Sequence, residues 1–241
     1  MPIASASIGG AGSAALRKAA DLFGGIRRKF YGPVTHVRTR SNLVALTFDD
    51  GPHPEFTVEL LRILKHFDAK ATFFMVGRIA AQYPEIVKMV AEEGHAIGNH
   101  SLTHAKFPGL DSKERQIEIE HCARILHPHS AKLFRPPFGE ENLSCHRDAL
   151  RLGYQVITWN VSADDWRRHS SDSIAERLLS LLKAGSIVLM HDNLATDPAA
   201  DQKQTLIAVE KMLGAAQGKF AFCTVPRLLA MGRPMTSFRP A

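Results

Sequence analysis

The chain has 241 residues, enough for one α/β barrel or two smaller domains with a substantial core. Its 45% hydrophobic and 22% charged residues are those of an ordinary globular protein, and no apolar run approaches the length of a membrane span. The net charge of +6 is dispersed, without interleaved basic and aromatic clusters, which argues against nucleic acid; Cys122, Cys145 and Cys223 are odd in number and form no CxxC, which argues against a disulfide framework or cysteine metal site.

The chain opens with MPIASASIGGAGSAAL, which lacks the basic start and strongly apolar centre of a secretory signal, so a cytoplasmic location is favoured over export. From Leu16 the apolar positions Leu16, Ala20, Phe23 and Phe30 fall near helical spacing among Arg17, Lys18, Arg27, Arg28 and Lys29, with Gly24-Gly25 interrupting them. Residues 1–40 are therefore expected to form an extension carrying an amphipathic helix that docks on the domain or frays. Its basic face would also suit contact with an anionic membrane surface.

From Asn42 onward, short apolar runs alternate with amphipathic stretches, the rhythm of βα units around a parallel sheet. Strands are expected at 43–48, 71–76, 95–99, 132–135, 154–159, 186–191 and 220–225. Helices are expected at Thr57–Phe67, Ile79–Glu93 with Pro84 near its start, Lys113–Leu126, Ser144–Leu152, Ser173–Lys183 and Gln204–Ala216. Seven strands suggest an incomplete or irregular barrel over residues 41–232, followed by a tail at 233–241. Nothing in the composition demands oligomerisation, so a monomer is expected.

The residues with chemical potential gather just after these strands: Asp49-Asp50, His100 and His104, Arg135, Asp165-Trp166, and His191-Asp192. In barrels that end of the sheet is the catalytic rim. Consecutive residues on a strand point to opposite faces, so the two aspartates of LTFDDGPH (46–53) can hold different roles. In HSLTH (100–104) the imidazoles are four apart, a spacing that serves one metal if the backbone turns helically between them. Ser101 stands where the zincin helix motif needs its glutamate base, so base and third ligand must come from elsewhere. Asp49 and Asp50 are the available carboxylates on the same rim. His121, His127 and His129 read instead as a solvated helix end. In FRPPFG (134–139) the prolines fix the backbone so that the Phe138 N–H could aim into the site, and Arg135 could hold a carboxylate in a fixed fork.

TFDDGP (47–52), HSLTH (100–104), RPPFG (135–139), DDW (164–166) and LMH (189–191) together resemble, in order, the five motifs of the polysaccharide deacetylase family, the NodB-homology carbohydrate esterases of family 4. The resemblance spans roughly residues 42–228 and implies an α/β fold, a distorted TIM-like (β/α)7 barrel that removes acetyl groups from N-acetylated sugars. It implies Asp50, His100 and His104 as ligands of Zn2+ or another divalent ion such as Co2+, Ni2+ or Mn2+. It further implies Asp49 as general base, His191 as general acid, Arg135 orienting Asp49 and Asp165 tuning His191. Pro137, Phe138, Trp166 and Leu189 are expected on the substrate, the last two enclosing the acetyl methyl. Phe138 replaces a common tyrosine, and Ser162 a common aspartate. The alternatives are an esterase or deformylase acting on another acylated sugar or glycolipid and, from a different class, a metal-dependent glycan-binding module without turnover. The filled base and acid positions at Asp49 and His191 argue against the last.

Overall fold

A computed structural model describes residues 32–197 and 199–237. The expected N-terminal amphipathic helix lies outside the described residues, as does the end of the tail.

Strand β2 (Leu43–Asp49) is apolar on both faces and buried from Val44 onward, as a parallel strand must be when helices cover one side and a barrel interior the other. On one edge it pairs with β8 (Ile187–His191); on the other it pairs with β3 (Thr72–Met75) above and β9 (Ala221–Cys223) below. Outward from β3 run β4 (Ala96–Asn99), β5 (Ser130–Phe134) and β6 (Gln155–Val156), while β7 (Val161–Ser162) flanks β8. The sheet is parallel throughout and curls into the seven-stranded half-barrel along β6-β5-β4-β3-β2-β8-β7.

The helices follow from apolar spacing and capping. Helix α1 (Phe56–His66) buries Phe56, Thr57, Leu60, Leu61 and Leu64, one stripe at helical period, against the sheet. The stretch expected as a single helix at 79–93 is two, α2 (Gly77–Ala80) and α3 (Pro84–Glu92). Pro84 has no N–H to continue a preceding helix but suits the first turn of a new one. Helix α4 (Ser112–Leu126) starts in a capping box, with Asp111 and Glu114 each accepting from the other's backbone N–H. Helices α5 (Leu143–Arg151), α6 (Ser171–Leu181), α7 (Lys203–Ala216) and α8 (Val225–Ala230) complete the cover.

Three strands lie outside the sequence-based expectation: β1 (Val34–Thr39), β7 and β10 (Gly232–Thr236). Strands β1 and β10 form an antiparallel pair. Among the described residues no ladder joins β6 to β7, so the barrel has an opening there. Strand β1 crosses it: Thr158 N–H donates to Val34 O (2.8 Å) and Val37 N–H to Gly185 O (2.9 Å). From inside, the fully buried Arg135 donates to Ile157 O (3.2 Å) and Thr158 O (3.1 Å).

Arg135 sits over the Phe74 ring, its guanidinium carbon 4.1 Å from the centroid. Behind that ring, a Cβ added at Gly98 would come within 2.5 Å of Phe74 carbons. Glycine there lets the ring sit back far enough for the guanidinium to share the interior. Gly98→Ala should overpack this layer, lowering stability in urea denaturation by about 1–3 kcal/mol and displacing the Phe74–Arg135 pair. A variant with wild-type stability would show that the layer has slack.

Candidate functional site

The strand registers bring the polar residues together. Asp49 is level with His191 across β2–β8 and with Phe74 across β2–β3. His100 N–H donates to Met75 O (3.0 Å), and Arg135 N–H to Asn99 O (3.0 Å). The strand ends thus deliver Asp49, His100, Arg135 and His191 to one end of the sheet, beside a cavity of about 500 Å³. Asp49, Asp50, His100, His104, Phe138, Trp166, Leu189 and His191 all line it. Asp50, Ser101, His104, Phe138 and Asp164 have positive φ; Asp68 is the only other non-glycine residue among those described that does. Such backbone costs of order 1–3 kcal/mol per residue and persists where surroundings enforce it, typically at functional sites.

The two adjacent aspartates occupy different environments. Asp49 ends β2 with its side chain inside the barrel, where Oδ1 accepts from Arg135 Nη1 at 2.6 Å. The same nitrogen reaches Thr47 Oγ1 (2.7 Å). Asp49 Oδ2 stays on the cavity side, 3.8 Å from His100 Nε2. Asp50, at φ 74°, leaves the strand and turns its Oδ1 to His100 Nε2 (3.2 Å) and His104 Nε2 (3.1 Å). Its Oδ2 accepts from the Ala195 N–H (2.9 Å).

The segment between His100 and His104 is a loop rather than the helical turn the spacing suggested. Ser101 and His104 are left-handed, Asn99 Oδ1 accepts from Ser101 N–H (2.9 Å), and Ser101 Oγ accepts from His104 N–H (3.0 Å). These bonds fold the chain so that the rings stand 5.1 Å apart between centroids.

Donor chemistry shows that Asp50, His100 and His104 fit a cation. His100 Nδ1 lies 2.8 Å from Arg135 O, and a carbonyl only accepts, so Nδ1 carries the proton. In the neutral ring Nε2 then presents a lone pair to Asp50 Oδ1, itself buried and without a hydrogen-bond partner. Lone pair facing lone pair at this distance requires a proton or a metal ion between them. The three ligand atoms lie within 4.8 Å of one another, and theirs is the one such cluster found among the described residues. Burial alone would raise the Asp50 pKa; in the metal-free site, with protons between these atoms, hydrogen bonds from the two imidazoles and the His191 charge outweigh it and hold it below the ordinary carboxylate range.

Across the cavity, His191 Nδ1 meets Asp165 Oδ1 at 2.9 Å, while Asp165 Oδ2 accepts from the His191 N–H (2.8 Å) and Thr205 Oγ1 (3.2 Å). Burial by itself would lower the imidazole pKa, but Asp165, by charge and hydrogen bond, with Asp50 and Asp49 behind it, raises it to about 9. Trp166, 41% exposed, sets its ring edge-on to His191 (5.5 Å). On the opposite wall Phe138, 45% exposed, tilts over His104 (4.5 Å). Pro137 is buried beneath that turn, outside the cavity lining, where it fixes the backbone that presents Phe138. His121, His127 and His129 are exposed, and the three cysteines are buried and unpaired.

Several contributors have no role that the sequence pattern assigns. Trp159 lines the cavity and packs so tightly on Gly139 that a Cβ there would lie 2.4 Å from its ring. Asp164 is held by Ser162 Oγ (2.9 Å) and Arg177 (2.7 Å), so the serine found in place of a common aspartate supports a neighbouring carboxylate on the rim. Backbone donors such as Ala195 N–H leave no mark on residue type.

The sequence model of the polysaccharide deacetylase family matches residues 36–157. A peptidoglycan-N-acetylglucosamine deacetylase of Bacillus cereus is 35% identical over 189 residues, covering 77% of this chain and 67% of the relative. A chitooligosaccharide deacetylase of Azorhizobium caulinodans is 31% identical over 210 residues, covering 81% and 98%. Among solved structures, a peptidoglycan N-acetylglucosamine deacetylase in complex with 4-naphthalen-1-yl-N-oxidanyl-benzamide superposes with a TM-score of 0.78 at 31% identity, over 88% of this chain and 99% of that one.

The His191–Asp165 pair is open to direct titration. In the native protein the His191 ring resonances should titrate near pH 9. Asp165→Asn removes the leading charge that raises the pKa, while burial, which lowers it, remains and only the weaker pull of Asp50 and Asp49 opposes it, so the midpoint should fall clearly below that of the native protein. An unmoved midpoint by NMR would mean that Asp165 does not hold the proton there.

Proposed function

The chain belongs to the polysaccharide deacetylase family, and on that footing we propose that it hydrolyses N-acetyl groups on N-acetylglucosamine-containing poly- or oligosaccharides, giving free amine and acetate. The observation that carries this reading is the division between the aspartates, Asp49 on Arg135 and Asp50 on the imidazole pair, with a protonated histidine facing them.

Asp50, His100 and His104 are the proposed ligands of one divalent ion, zinc by preference, because two imidazoles and one carboxylate make a donor set that leaves positions open. Such an ion would polarise the acetyl carbonyl and acidify water. In this mechanism Asp49 takes the proton of the attacking water through Oδ2, the oxygen that Arg135 leaves to the cavity. Arg135 acts by position, fixing the other oxygen. The Phe138 N–H, presented by the Pro136-Pro137 turn, donates to the oxygen on which charge develops. An amide nitrogen leaves only when protonated, and His191, kept in its acid form by Asp165, supplies that proton. Leu189 and Trp166, both lining the cavity, enclose the methyl group.

The substrate class is an extension from the relatives, whose names cite peptidoglycan and chitooligosaccharides. A panel of N-acetylated and O-acylated sugars, scored for acetate release with added zinc, separates amide from ester hydrolysis.

Two isosteric variants test the division of labour. Asp49→Asn should retain zinc and lose about 10²–10⁴-fold in kcat, since the amide still accepts from Arg135 but cannot take a proton. Asp50→Asn should lose zinc affinity and regain some activity in excess zinc. Equal metal loss in both, or zinc rescue of Asp49→Asn, would reverse the assignment.

A further inference from the structure

Asp50 does not owe its orientation to β2, which it has left, nor to a favourable backbone, since φ is 74° in a residue with a side chain. The chain directly after His191 contacts it repeatedly. Ala195 N–H donates to Asp50 Oδ2 (2.9 Å), and Asn193 Nδ2 reaches Asp50 O (3.4 Å). Asp192, fully buried, lays its carboxylate against Gly51, where an added Cβ would stand 2.4 Å from Oδ2 and 2.5 Å from Oδ1. Asp192 Oδ2 accepts from the Thr57 hydroxyl, and Thr57 Oγ1 accepts from His53 N–H (2.7 Å). The aspartate loop is therefore fastened to the β8–α7 connection at Asp50, at Gly51 and, through Thr57, at His53.

We infer that the segment Asp192–Ala195 is a positioning device for Asp50: it engages one carboxylate oxygen, braces the strained backbone, and turns the other oxygen toward His100 and His104. The division matters because a free carboxylate could rotate and offer either oxygen or both. With Oδ2 bound to a peptide N–H, Oδ1 is turned to the imidazoles, and it is the oxygen without a hydrogen-bond partner. Partners of this kind, one bond removed from a metal ligand, typically contribute about 10–100-fold in metal affinity. Asp192 anchors the device without touching the ligand atoms. Because the acid His191 immediately precedes it on β8, one short segment sets the position of groups on both sides of the cavity.

The inference rests on the proposed metal site, and its test reads zinc affinity of the metal-free protein by competition with a chromophoric chelator, beside the thermal midpoint of each variant. Thr57→Val keeps the volume and deletes the hydroxyl; it should weaken zinc binding by about 10–100-fold. Thr57→Ser keeps the hydroxyl and should bind as the native chain does. Asp192→Ala should weaken zinc at least as much as Thr57→Val; if it does not fold, the Thr57 pair decides alone. A merely structural role would lower the midpoint and leave the affinity in place, so unchanged affinity in Thr57→Val overturns the inference. Equal weakening in Thr57→Ser and Thr57→Val also overturns it. Failure of the native chain to bind zinc would instead overturn the functional reading, and the inference with it.

Discussion

A guanidinium with no exposed surface is the constraint around which this barrel is arranged. Removing an ion from water costs several kcal/mol, which must be offset by close and complete pairing. For Arg135 the pairing comes from three elements. Asp49 and Thr47 belong to β2, the carbonyls of Ile157 and Thr158 follow β6, and the Phe74 ring belongs to β3. Satisfying the ion thus ties the central strand to the rim of the β6–β7 opening, which no strand ladder closes among the described residues. The same contacts dictate small residues nearby, since Gly98 is what lets Phe74 lie back beneath the ion.

The chemistry follows from that pairing. Asp49 stays with the strand because Arg135 holds it there, and Asp50 must then leave it, at a left-handed φ that the following loops enforce. Two neighbouring carboxylates, which in isolation would repel, are separated by having different counter-charges: a guanidinium for one, and a site for a divalent cation for the other. The Arg135 carbonyl adds a further link, since it sets the His100 tautomer and so turns a nitrogen lone pair toward Asp50. One residue therefore shapes both the proposed base and the proposed ligand set, through its side chain and its backbone. On the far wall, the equivalent work is done by Asp165, which takes both the ring N–H and the backbone N–H of His191.

Much of this was legible in the sequence, and what was missed has a physical pattern. Six of the seven barrel strands, and β9 beside them, could be read because strands buried on both faces are continuous apolar runs, as in LVALTF and SIVLMH. Strand β1, VTHVRT, is half polar because it caps the barrel opening rather than crossing its core, and β7 is only two residues long. The two histidines were recognisable by spacing, yet the loop that brings them together depends on Asn99 and Ser101 bonding to backbone, which spacing does not encode. The motif order pointed to Asp49, Asp50, Arg135, Asp165 and His191. It could not point to Ala195, whose contribution is a peptide N–H, nor distinguish Pro137 as backbone support from Phe138 as cavity wall.

The central claim, that Arg135 keeps Asp49 apart from the cation while Asp50 receives it, is tested most directly by an anomalous-scattering map at the zinc edge from crystals of the zinc-loaded protein. The account predicts one peak within bonding distance of Asp50 Oδ1, His100 Nε2 and His104 Nε2, with Asp49 Oδ1 still paired to Arg135. A peak bonded by Asp49, or an Asp49–Arg135 pair broken on loading, would contradict it.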